Sequence, residues 1–133
     1  MVELIVVLAI IGIISIVSWA ALRGSKPSAQ LTGACNEAAA AINKTRGYAL
    51  SGKVGLDGVT VPDFFQVRFV NSTIMIPETG ETIILPGGVD CSTRTYIFSV
   101  PHGGKTGSNL NLSCSNSSGT KTVEVTEFRA VCK

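Results

Sequence analysis

Three stretches with different hydropathy patterns follow one another along the chain. From Leu4 to Leu22 no residue is charged, and apolar side chains occupy every side of a helical wheel. A helix apolar all round has to be surrounded by apolar material, either lipid or other helices. Nineteen residues at a helical rise of ~1.5 Å span about 28 Å, close to the ~30 Å of bilayer hydrocarbon, so this stretch predicts a membrane stage. Arg23-Gly24-Ser25-Lys26-Pro27 then interrupts the pattern. Glycine weakens a helix and proline removes a donor and crowds the preceding turn, so these residues predict a kink or a locally melted segment. From Ser28 to Leu50 the apolar positions Leu31, Cys35, Ala38, Ile42 and Ala49 recur three, four or seven apart, with Gln30, Asn36, Glu37, Lys44 and Arg46 between them. This predicts an amphipathic helix, packed on one face and capped by Ser28 or Thr32.

Beyond Leu50 the period falls to two. Expected strands are Phe65 to Val70, Thr73 to Ile76, Thr82 to Leu85, Thr95 to Val100, Leu110 to Cys114, Thr120 to Thr126 and Phe128 to Cys132. Turns are expected at Asn71-Ser72, Glu78-Thr79-Gly80, Pro86-Gly87-Gly88, His102-Gly103-Gly104 and Asn116 to Gly119. Ser51 to Pro62 reads as the loop joining helix to sheet. The predicted fold class is therefore α+β: a long N-terminal helix, apolar in its first half and amphipathic in its second, packed on a small antiparallel sheet or sandwich. The expected units are a core helix over 1–22, a kink and amphipathic helix over 23–50, and a β-rich head over 51–133.

The chain has 133 residues, room for one globular head, and a mean hydropathy of +0.38 concentrated in the first stretch. Net charge is +2 and the basic residues past Lys26 are scattered singly. No clustered basic face for nucleic acid emerges. Four cysteines, Cys35, Cys91, Cys114 and Cys132, lie beyond the apolar run and none forms a Cys-x-x-Cys pair. They read as two disulfides in an oxidising compartment. Three pairings are open; a hairpin around Gly104 would favour Cys91 with Cys114, leaving Cys35 for Cys132.

Glu3 is the only ionisable side chain in the first 22 residues. A carboxylate in hydrocarbon costs several kcal/mol, about 2.5 to 3.5 at mid-membrane and less near an end, so it calls for a partner. A positively charged main-chain amine of the same chain or a neighbour would serve, and stacking helices so that each Glu3 met a neighbour's amine would fix their axial register. The positive end of its own helix is a weaker alternative, worth about 0.3 to 1 kcal/mol.

The segment Met1 to Ile14, a glutamate followed by a Leu, Ile, Val and Ala run with Gly12 in an Ala-Ile-Ile-Gly-Ile context, resembles the N-terminus of mature type IV pilins and type II secretion pseudopilins. Ala38 to Ser51, opening on four consecutive alanines, is similar to the minor-pilin branch with a small β-sandwich head. The resemblance implies a structural filament subunit with Glu3 as the assembly residue, a leader removed by a prepilin peptidase and a methylated amine. It further implies storage in the inner membrane, assembly through an inner-membrane platform, and a helical homo-oligomer outside the cell that serves adhesion, motility or DNA uptake. Four residues usually precede the glutamate in that family and two do here, so two further residues are expected before Met1. Gly12, Gly24 and Pro27 are candidate points of helix flexibility, although Gly12 equally suits close helix packing.

Other chemistry is thinly represented. Gly103-Gly104-Lys105-Thr106 matches the end of a phosphate-binding loop, but Ser99 stands where that loop needs glycine, so a hairpin turn is expected. His102 is the only histidine, and the acids Asp57, Asp63, Glu78, Glu81 and Asp90 form no motif for acid–base work or calcium. Neither a cofactor nor a metal is expected, and no catalysis. Asn-x-Ser/Thr triplets at Asn43, Asn71, Asn111 and Asn116 read as part of a Ser, Thr and Asn-rich surface. The alternatives are a pseudopilin that drives secretion and a membrane-anchored binding domain that never polymerises and needs no Glu3. An uncleaved signal sequence fits less well, since basic residues do not precede the apolar run.

Overall fold

The computed structural model describes residues 2–106, 111–126 and 129–133, with the side chains of 2, 3, 17 and 19–24 outside the description. One α-helix, α1 (Val2–Ser51), runs for 50 residues, about 75 Å at the usual rise. Eight strands follow: β1 (Phe64–Asn71), β2 (Thr73–Ile76), β3 (Glu81–Ile84), β4 (Asp90–Ser99), β5 (Lys105–Thr106), β6 (Leu112–Asn116), β7 (Gly119–Val125) and β8 (Ala130–Cys132). They form a single antiparallel sheet in the order β3-β2-β1-β4-β6-β7-β8, with β5 pairing on β4. The fold is α+β, with one sheet where a sandwich had been the other possibility.

Helix and sheet meet through their alternating patterns. Leu31, Ala34, Cys35, Ala38, Ala41, Ile42 and Ala49 are buried on one side of α1. Against them lie Phe65, Val67 and Phe69 of β1, Ile74 and Ile76 of β2, Tyr96 and Phe98 of β4, and Val123 and Val125 of β7. Alanine predominates on the helix side, so the backbone comes close and the aromatic and branched side chains of the strands fill the space. Thr45 is buried among them, and its hydroxyl donates to the Ala41 carbonyl at 2.8 Å, which removes the penalty of an unpaired polar group. Between β3 and β4 the chain crosses the end of the sheet, where Leu85 and Val89 are buried and Leu85 N–H donates to the Ser72 carbonyl at 2.8 Å.

Most strand ends fall within two residues of the expectation, β5 was not expected, and two differences are larger. The helix continues through Arg23 to Pro27, where a break was expected. A proline costs one donor, but its fixed φ suits the helix, and strong helical pattern on both sides carries the conformation through. β4 begins at Asp90, five residues before the expected Thr95. Its first half is polar and signals no strand, and it is held from both sides by Asn71 of β1 and by Ser115 and Cys114 of β6. The expected strand starts at Leu110 and Phe128 lie outside the described residues.

Both disulfides follow the favoured pairing. Cys91 and Cys114 are directly opposed across β4 and β6. Cys35 and Cys132 tie the helix to β8, with Cα atoms 5.6 Å apart. Asn71 reverses the chain between β1 and β2 with φ of 53°, a left-handed conformation that asparagine tolerates. At Gly103, φ is 59° and a Cβ would stand 2.6 Å from Leu50 Cγ, so this turn against the end of α1 requires glycine on both grounds.

Candidate assembly surface

The helix divides at Pro27 into a part that packs and a part that does not. Going inward from the N-terminus, Pro27 is the first described side chain that is not fully exposed, and Leu31 is the first buried one. Before it, large apolar side chains stand in the open, from 51 % exposed at Val6 to 71 % at Ile16. Residues 4–16 form an arm. At 100° per residue these side chains point to all sides, so no single face of the arm is the buried one. Burying ten such side chains would contribute on the order of 1 kcal/mol or more apiece, comparable in total with the ~5–15 kcal/mol stability of a whole domain. Such an arm cannot stay bare in water.

Its two described serine hydroxyls are internally satisfied. Ser15 Oγ donates to the Ile11 carbonyl at 2.7 Å and Ser18 Oγ to the Ile14 carbonyl at 2.9 Å. Both hydroxyls are spent on the arm's own backbone, which suits an apolar surrounding. Gly12 has no neighbour within 4 Å of a would-be Cβ, so it leaves a notch in the arm's surface. The side chain of Glu3 lies outside the described residues, as does the surrounding of Gly24. Among the described residues, no helix is long and apolar enough to cross a membrane. The described side chains leave out Val17 and 19–22 of the uncharged run.

Polar contacts fasten the rest of α1 to the sheet, among them Arg46 Nε, which donates to the Gly103 carbonyl at 3.1 Å. Asn116, the last residue of β6 before the turn to β7, donates from Nδ2 to the Pro27 carbonyl at 2.7 Å. Midway, the carboxamide of Asn43 pairs with the backbone of Ala130: Nδ2 donates to its carbonyl at 2.9 Å and Oδ1 accepts its N–H at 2.8 Å. Asn43 thereby stands in for a neighbouring strand along β8 and blunts that sheet edge. Near the C-terminal end, Glu81 of β3 accepts from Lys44 Nζ at 2.5 Å and from the Tyr48 hydroxyl at 2.7 Å, and Lys53 Nζ lies 3.5 Å away. Lys53 also sits over the Tyr48 ring, 3.8 Å from its centre. The Lys44 and Tyr48 hydrogen bonds hold the Glu81 carboxyl below its usual range, and the Glu81 bond raises the Lys44 ammonium. None of these contacts was legible in the sequence, because the partners lie 28 to 89 residues apart.

The sequence reading also missed a second apolar surface. Leu50, Val54, Leu56, Val59, Val61 and Phe64 are all exposed, Val59 at 80 %. The loop between α1 and β1 thus presents apolar side chains where a connector is ordinarily polar. Its signal was present as Val and Leu alternating with Gly and Asp between 52 and 61, a pattern too irregular for a strand. Leu56 lies close against Gly80 in the β2–β3 turn, which anchors the loop there.

Remaining candidates carry little chemistry. His102 is exposed in the turn before β5, where a hairpin turn was expected, and Lys105–Thr106 form β5, which was not among the expected strands. A shallow cleft of about 230 Å³ is lined by Glu124, Thr126, Arg129, Val131 and Lys133 on β7, β8 and their connection. In it Lys133 pairs with Glu124, and the Thr126 hydroxyl donates to the Arg129 carbonyl at 2.8 Å. Among the described residues no three His, Cys, Asp or Glu side chains converge as metal ligands. No family model matches the chain, and comparison with curated proteins and with solved structures likewise returned no significant match.

Proposed function

We propose that this chain is a structural subunit of a type IV pilus-like filament, stored in the inner membrane and polymerised through its N-terminal helix. The observation that carries the reading is the arm: a helical extension of the head's own helix, with exposed apolar side chains on every side and its serine hydroxyls turned inward. Such a surface is satisfied either in lipid or by the arms of other copies, and the two environments correspond to storage and assembly. In the filament the arms form the core and the heads face outward. Glu3 sets the register by meeting the main-chain amine of a neighbour, which neutralises both charges where water is excluded. The exposed loop residues Val54 to Val61 provide apolar surface for contact between heads. The role is mechanical and involves no reaction.

Electron microscopy of filaments sheared from the native cells, with mass spectrometry of their subunits, tests this directly. Filaments containing this chain support the proposal, and their N-terminal peptide shows which residues precede Glu3. A chain found only in membranes, with its function intact in a Glu3→Ala variant, would overturn it in favour of an anchored binding domain. A filament subunit with the same substitution should instead stay in the membrane unassembled.

A further inference from the structure

At the point where the arm leaves the head, Asn116 reaches the helix backbone with an orientation that is itself fixed. Asn116 Nδ2 reaches the Pro27 carbonyl at 2.7 Å, while its Oδ1 accepts the Ser118 N–H at 2.8 Å and the Ser118 hydroxyl at 2.7 Å. The turn therefore aims the amide group at the helix and leaves it no freedom to flip. The site it grips is the weakest in α1. Pro27 has no N–H, so the Arg23 carbonyl lacks the donor that every regular position four residues on would provide. Gly24 lies one residue beyond, and glycine disfavours helix by about 1 kcal/mol relative to alanine. On the head side Pro27 is half-buried and Leu31 buried, whereas Ser25 and Lys26 on the arm side are exposed.

We propose that Asn116 is a positioning residue: the β6–β7 turn clasps α1 at Pro27, sets the direction in which the arm leaves the head, and confines bending to Arg23 through Pro27. Its use in assembly rests on the filament reading above, but the clasp is a property of the single chain. A helix fixed at Pro27 delivers its arm at a constant angle to the head, so that arms of successive copies can enter one core while heads keep one orientation. Without the clasp the gap in hydrogen bonding at Arg23 would let arm and head move independently.

Hydrogen exchange with mass spectrometry on the full chain in detergent micelles tests this. Asn116→Asp keeps the oxygen that the turn uses and removes the donor to Pro27. Peptides covering residues 20–31 should exchange roughly five-fold faster in this variant, as expected for the loss of one hydrogen bond. Peptides from β1 and β4 should keep their protection. Ser118→Ala, which leaves the donor in place, should give a smaller rise in the same peptides. Unchanged exchange over 20–31 in Asn116→Asp would overturn the clasp, and so would an equal rise in β1 and β4, since that would mean general destabilisation. The exchange difference is read on unassembled protein, so it stands or falls separately from whether filaments contain the chain.

Discussion

Glu81 gathers two lysines and a tyrosine around one carboxylate, and its behaviour follows from what each donor does to the charged form. Lys44 and Tyr48 stabilise the carboxylate by hydrogen bonds, so its pKa is lower in the folded chain than the usual 4.5. The stabilisation is present above about the ordinary carboxylate range and is lost as pH falls through the lowered value. For Lys44 the sign is reversed: its raised pKa contributes below 10.5 and is lost as pH rises through the folded value. Burial pushes the Tyr96 hydroxyl up to about 12, which adds a second loss of stability above pH 10. The carboxylate is 28 % exposed and Lys44 46 %, so solvent screens the pair. Glu81→Gln should therefore destabilise the head by only about 0.5–1 kcal/mol at neutral pH. Chemical unfolding measured between pH 3 and 7 should show a flatter acid limb for the variant than for the parent. A parallel limb would mean that Glu81 contributes nothing to acid sensitivity.

At the scale of elements, the two disulfides differ in what they constrain. Cys91 and Cys114 join strands already paired in the sheet and close a separation of 23 residues. Cys35 and Cys132 join the helix to the last strand across 97 residues. On chain entropy alone the longer loop is worth about 1 kcal/mol more, within a usual range of ~2–5 kcal/mol for either bond. The Cys35→Ala/Cys132→Ala double variant should unfold at lower denaturant than Cys91→Ala/Cys114→Ala, and its loss should be felt at the contact of α1 with β8. Equal midpoints would show that Asn43, which pairs with Ala130 in the same place, already holds that edge without the bond. The amphipathic part of α1 was readable in advance: all five positions singled out by spacing, Leu31, Cys35, Ala38, Ile42 and Ala49, are buried. The unbroken passage through Pro27 was not, because propensity judges residues singly whereas a helix supported on both sides tolerates one missing donor.

Among the described residues, the arm and the loop between α1 and β1 both present exposed apolar side chains. In the proposed filament the first makes the core and the second touches neighbouring heads. Val59→Glu, at a position 80 % exposed, should leave folding within about 0.5 kcal/mol of the parent and reduce the filaments recovered after shearing. Unchanged recovery would remove the loop from the assembly contacts while leaving the arm's role untouched. By itself the sequence determined the α+β class, the buried stripe of the helix and most of the strands, and it left three cysteine pairings open. Those features follow from periods of 3.6 and 2 and from turn residues, which are local and survive in one dimension. Only the tertiary structure decided that the strands form one sheet, that polar residues 90–94 belong to β4, and that the loop is apolar on its outside. It alone decided that Asn43, Glu81 and Asn116 hold helix to sheet. Each of these depends on a partner tens of residues away, and a side chain's role in such a contact is set by where the fold puts it.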